Sequence, residues 1–102
     1  MSKKRIPLHP GEFVKRVYIE EANLSLNSIA DALLVNKGTF SRFVKGEVDL
    51  SPKMAHKLSN SLGRTPESWM NMQQAHSLAK AEAELGKWKP KKVLVEGKLE
   101  VA

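Results

Sequence analysis

The sequence predicts an all-α fold: five short helices in one domain, followed by a C-terminal extension with the pattern of a small β-hairpin. Three observations carry that prediction. Apolar residues recur at i, i+3, i+4 and i+7, as in Leu26, Ile29, Ala30 and Leu33. The pairs Ser51-Pro52 and Thr65-Pro66 read as helix starts, each a capping hydroxyl followed by the proline of a first turn. Gly46 and Gly63 stand just past predicted helices, where a left-handed residue commonly closes the last turn.

The first helix is predicted to start at Pro10 or Gly11, with Glu12 near the positive end of its dipole. Phe13, Val14, Val17 and Tyr18 share its apolar stripe. Ser25 caps the second helix, which ends near Leu33-Leu34. Asn36 caps the third, running from Lys37 to about Lys45 with Phe40, Phe43 and Val44 as its apolar face. Ser51 caps the fourth, where Met54, Ala55, Leu58 and Leu62 form the stripe. Thr65 caps the fifth, where Trp69, Met72 and His76 continue one face until helical character fades around Glu84. Val93-Leu94-Val95 and Lys98 to Val101 flank Glu96-Gly97, an arrangement compatible with a two-residue hairpin. The chain thus divides into a basic arm (1–8), a helical domain (9–84) and a C-terminal extension (85–102).

Composition narrows the function. The 102 residues carry 17 Lys or Arg against 11 Asp or Glu, a net charge of +6 that favours anionic partners. There is no cysteine, which excludes a disulfide framework, cysteine zinc sites and thiol catalysis. The longest purely apolar run is Ala32-Leu33-Leu34-Val35, far short of the roughly 20 residues of a membrane helix. No long apolar segment follows the basic start Lys3-Lys4-Arg5, so no signal peptide is expected. A cytoplasmic location follows as an expectation.

The informative stretch is Leu26 to Lys45. Two short helices separated by three residues form a helix-turn-helix, with Ala30 small enough for the crossing. The outward face of the second of these helices is Lys37, Gly38, Thr39, Ser41, Arg42 and Lys45, with Asn36 at its start. It carries three positive charges, no acid and two small hydroxyls. That composition suits a helix lying in a DNA major groove, where Lys and Arg donate to guanine edges. Gly38 costs about 1 kcal/mol of helix stability relative to Ala, which is explicable where DNA comes close.

The runs His9-Pro10-Gly11-Glu12 and Leu62-Gly63-Arg64-Thr65-Pro66-Glu67-Ser68-Trp69, with Ala30, Val35 and Ser51-Pro52 between them, resemble the HigA-type antitoxins. These are small members of the Cro/λ-repressor-like helix-turn-helix superfamily, and the similarity covers about residues 6–80. The resemblance implies a five-helix domain, a homodimer and a palindromic operator in double-stranded DNA. It also implies a small basic RelE-like toxin of the HigB type, an mRNA-cleaving enzyme, as protein partner. The protein itself would have no catalytic activity and would repress its own operon. Three positions depart from the family pattern. Leu34 stands where the turn usually has Gly, and Leu26 stands where a phosphate-contacting Gln is usual. Ser68 replaces the aromatic that usually precedes the Trp. Ser25, Asn27 or Ser28 would then take over the phosphate contact.

The remaining readings are plainer. His9, His56 and His76 lie on different elements without metal-ligand spacing, so no metal is expected, and His9 reads as a helix-start residue. Nothing forms a nucleophile or acid–base motif, and no cofactor is expected. Trp69, Met70 and Met72 are candidate dimer contacts, with core packing the competing role for Trp69. The Lys87-Lys89-Lys91-Lys92 run around Trp88 reads as a solubilising linker or a phosphate contact. Two alternatives stand beside the antitoxin reading: a solitary transcription regulator, and an interaction module that has lost DNA binding.

Overall fold

Each of the five α-helices begins at a residue whose side chain accepts a hydrogen bond from the first turn, satisfying backbone donors that have no partner inside the helix. The computed structural model describes residues 6–89, 91, 94–95 and 98–99. Helix α1 (Pro10–Val14) starts at His9, whose Nδ1 accepts from the Gly11 amide at 2.9 Å. Helix α2 (Leu26–Leu33) starts at Ser25 and α3 (Lys37–Val44) at Asn36. Helix α4 (Pro52–Leu62) starts at Ser51 and α5 (Pro66–Glu84) at Thr65. Four of these caps are the Ser, Asn and Thr that the sequence marks; His9 acts as a cap although it is outside the usual capping set.

The first helix differs from expectation. Its α-helical part ends at Val14 and continues as a π-helical segment, Lys15–Glu21. The wider turn carries Val17, Tyr18 and Ile19 in succession along the domain, all half-buried. Two residues beyond the segment, Asn23, with a φ of 61°, turns the chain toward α2. The third helix ends one residue earlier than expected, with Lys45 as its C-cap.

Helix α3 packs against α1 and α2, and α4 against α2 and α5. The core lies between them: Val14, Ile29, Ala30, Leu33, Phe40, Phe43, Val44, Leu50, Ala55, Leu58 and Trp69. Ala30 has no exposed surface, as the helix crossing requires. Trp69 is also fully buried, against the rings of Phe13 and Tyr18, and its indole N–H donates to the Gly63 carbonyl at 2.9 Å. A side chain enclosed this way offers no surface to a second copy, so Trp69 is a core residue and not a dimer contact. Met70 and Met72 are half-buried.

The extension carries two short strands, β1 (Leu94–Val95) and β2 (Lys98–Leu99), paired antiparallel with Leu94 opposite Leu99. The anticipated turn at 96–97, the arm Lys3-Lys4-Arg5, and Lys92 and Val93 lie outside the described residues. Among the described residues, no helix is long and apolar enough to cross a membrane.

Candidate nucleic-acid interface

The turn between α2 and α3 sets the angle at which α3 is presented. Helix α2 closes with two reverse hydrogen bonds, from the Leu34 amide to Asp31 O at 3.1 Å and from the Val35 amide to Ala30 O at 3.0 Å. This is a Schellman closure, and it demands a left-handed residue at Leu34. Leu34 complies, with φ 55° and ψ 45°. Helix α3 closes in the same way, the Gly46 amide on Phe43 O and the Glu47 amide on Arg42 O, both at 2.9 Å. There the left-handed residue is Gly46, with φ 80°. The two closures are alike in bonding and differ in strain, because a Cβ disfavours this conformation by roughly 1–2 kcal/mol. Leu34 also leaves its side chain 86% exposed. Its neighbour Val35 turns inward and packs on the core.

Helix α3 buries Phe40, Phe43 and Val44, which leaves Lys37, Gly38, Arg42 and Lys45 exposed and Thr39 and Ser41 half-buried. Gly38, Ser41, Arg42 and Lys45 recur at i, i+3, i+4 and i+7, so they form one stripe with Lys37 beside it. The Asn36 Oδ1 accepts from the Gly38 amide at 2.8 Å and the Thr39 amide at 3.2 Å. Its amide NH₂ group is not used by that cap. A Cβ at Gly38 would stand 3.1 Å from the same Oδ1, so the missing side chain leaves room for the cap.

The N-terminus of α2 presents fewer donors than the sequence suggests. The Ser25 hydroxyl accepts from the Ser28 amide at 2.9 Å and donates to the Ser28 Oγ at 2.7 Å. Ser25 therefore has no proton to offer an anion while it caps. The Ser28 hydroxyl and the exposed Asn27 amide keep theirs. Leu26, where a polar residue is usual, packs against the core.

Sequence reasoning missed four contributors. Lys15 and Arg16, from the turn after α1, line one groove with Lys45, Glu12 and Glu20 and bring positive charge beside the end of α3. They are distant in sequence from Lys45 and only the packing of α1 on α3 unites them. Gln73 is buried, accepts from the Leu50 amide at 2.7 Å through Oε1, and donates through Nε2 to Ser77 Oγ at 2.9 Å. It fixes the loop that follows α3. Arg64 packs beside Ser68, the position where an aromatic is usual: its guanidinium donates to Ser68 Oγ at 2.8 Å and lies over the rings of Phe13 and Trp69.

The inner side of the interface rests on His9, which is 1% exposed. Its ring meets Phe43 of α3 at 5.5 Å and His76 of α5 at 5.3 Å, both edge-on. Burial lowers its pKa below the ordinary 6.5 and nearby His76 adds to this, while Asp49, the Val48 backbone and Glu12 pull the other way. Among the described residues, no group of three or more His, Asp or Glu is arranged to hold a metal ion.

Such a helix pair, enclosed in a five-helix bundle and presenting one basic helix face, defines a Cro/λ-repressor-like helix-turn-helix protein. The comparisons agree. The chain is 41% identical over 73 residues to the Escherichia coli protein named uncharacterized HTH-type transcriptional regulator YddM, covering 72% of this chain and 77% of that one. It is 37% identical over 75 residues to antitoxin HigA-1 of Vibrio cholerae, covering 74% and 70%. The structure of Pseudomonas aeruginosa antitoxin HigA with the higBA promoter superposes with a TM-score of 0.76 at 31% identity, covering 86% of this chain and 99% of the other. No family model matches the chain. The chain belongs to the HigA-type antitoxins of the helix-turn-helix superfamily.

Proposed function

We propose that this protein is an antitoxin and autorepressor that reads operator DNA with α3. The observation that carries the reading is the outward stripe of exposed Gly38, Arg42 and Lys45 with half-buried Ser41, and Lys37 beside it, on a helix whose opposite face is core. Support comes from the Pseudomonas HigA relative, whose structure holds promoter DNA. Lys37, Arg42 and Lys45 contact bases or phosphates, and Asn36 donates through its free amide. Asn27 and Ser28 contact the backbone from α2, with Lys15 and Arg16 adding phosphate contacts. A homodimer sets two copies of α3 on a palindromic site, half-sites one helical turn apart. Met70 and Met72 are the dimer contacts in this reading. The protein partner is a RelE-like toxin of the HigB type. The protein has no catalytic activity of its own and works in the cytoplasm, where the operator lies.

The test is a binding titration on the duplex upstream of its own gene, with wild type and Arg42→Ala, alongside co-expression with the neighbouring reading frame. Operator binding with rescue from a toxic neighbour supports both roles. A solitary regulator is the second reading, favoured by the regulator name that the YddM relative carries. Operator binding without any toxic neighbour selects it.

A further inference from the structure

The recognition helix is held from behind by a histidine whose protonation state the hydrogen bonding dictates. His9 Nδ1 accepts from the Gly11 amide at 2.9 Å, and the His9 amide donates to Glu12 Oε1 at 3.3 Å, forming a reciprocal cap on α1. Nδ1 can accept only while it carries no proton. The ring proton therefore sits on Nε2, which is buried and makes no well-formed hydrogen bond; the Val48 backbone acts on the ring from this loop, and Asp49 Oδ1 is 4.0 Å away. Protonating the ring places a second N–H against the Gly11 amide, donor facing donor.

The consequence reaches α3 by contact. Gly11 lies so close to the last turn of α3 that any Cβ there would overlap the Phe43 carbonyl. The His9 ring itself abuts Phe43. Displacing the His9–Gly11 cap therefore moves the seat on which the C-terminal end of α3 rests.

Charged and titratable groups face His9 from every side. Glu12 lies on α1, Asp49 in the loop after α3 and His76 on α5, with Lys80 and Glu84 further along the groove that His76 and Asp49 line. His76 places its Nδ1 2.7 Å from the Pro7 carbonyl, which fixes its ring beside that of His9.

We propose that His9 is a positioning residue for the recognition helix, and that only its neutral form holds α3 in place, so acidification weakens operator binding. The proposal rests on the reading of α3 as the DNA-contacting helix. Its sign is diagnostic. Acidification makes a protein more positive as a whole and by itself strengthens attraction to a phosphate backbone. A loss of affinity in acid runs against that trend.

The experiment measures fluorescence anisotropy of the upstream duplex from about pH 8 to about pH 5 at constant salt, spanning the histidine range. Wild type is compared with His9→Asn, in which a side-chain oxygen can cap without titrating. Wild-type Kd should rise by up to ~tenfold per pH unit below the midpoint, as the competent fraction falls. Kd of His9→Asn should stay level or fall slightly. In free wild-type protein, the NMR amide signals of Gly11, Val44 and Gly46 should move with one common midpoint. A flat Gly11 signal overturns the proposal, as does a parallel pH profile in wild type and His9→Asn. If the duplex binds at no pH, the reading of α3 fails; the amide titration then still decides whether His9 moves the end of α3. Movement of Gly11 without Val44 and Gly46 overturns the positioning role even where DNA binding is intact.

Discussion

Gly11, in the first turn of α1, is pressed against the Phe43 carbonyl at the end of α3, with no room between them for a Cβ. The obstacle is backbone, so it cannot swing away as a side-chain tip would. Through this contact the start of the chain's first helix sets the position of the helix that carries Arg42 and Lys45.

Gly11→Ala should therefore destabilise the domain by about 1–3 kcal/mol, the range for overpacking a well-packed core. In a domain of this size each kcal/mol lowers Tm by roughly 4–8 °C. Differential scanning calorimetry reads this directly. An unchanged Tm would show that α1 can move off α3 at little cost.

The Leu34 turn makes the opposite prediction. Leu34→Gly removes the left-handed strain, about 1–2 kcal/mol, at an entropic cost of about 0.5–1 kcal/mol in the unfolded chain. Little packing is lost, because the side chain is 86% exposed. The variant should be more stable by about 0.5–1 kcal/mol, seen as a higher urea midpoint at unchanged slope. A lower midpoint would mean that Leu34 holds the turn by contacts that outweigh its backbone strain.

Gln73 ties α5 to the loop after α3 by accepting from the Leu50 amide. Gln73→Leu leaves that amide buried without a partner, which costs about 1–3 kcal/mol. Urea unfolding measures the loss, and hydrogen exchange should accelerate at Leu50. Retained protection of Leu50 would show that the loop stands without Gln73.

Stability should also depend on pH through His9. Its pKa in the folded protein is lowered by burial and by His76, below the 6.5 of an ordinary histidine. The unfolded chain therefore binds the proton more readily. The contribution is complete above the unfolded value and is lost as pH falls from there through the folded value. Urea midpoints across that window should drop in wild type and stay nearly level in His9→Asn. Equal drops in both would assign the effect to other groups.

Much of this arrangement was legible because the signals are local. Ser25, Asn36, Ser51 and Thr65 each sit next to the helix they cap, and Gly46 directly follows the helix it closes. The two halves of α3 separate by spacing alone, since Phe40, Phe43 and Val44 leave only one outward stripe. Leu34 was recognisable as standing where the turn usually has Gly, and the structure shows that the turn there is left-handed. What stayed hidden depends on contacts between distant residues. Gln73 meets its partner 23 positions away. Lys15 and Arg16 join Lys45 only once α1 packs on α3. The apolar stripe of α5 showed that Trp69 is covered, but not that Phe13, Tyr18 and Arg64 of the same chain cover it. The π-helical turn at Lys15–Glu21 has no compositional mark that distinguishes it from an α-helix.

The most direct measurement is the affinity of Arg42→Ala for the upstream duplex, over a series of salt concentrations, against a scrambled duplex of equal length. Arg42 is exposed on the outward stripe of α3. If it reads a base, the variant loses about 1–3 kcal/mol on the specific duplex and much less on the scrambled one. Lys45→Ala, if it meets a phosphate, should weaken both duplexes alike and reduce the salt slope by about one. Equal affinity of wild type and Arg42→Ala for the upstream duplex, at every salt concentration, would contradict the assignment of α3 as the reading helix.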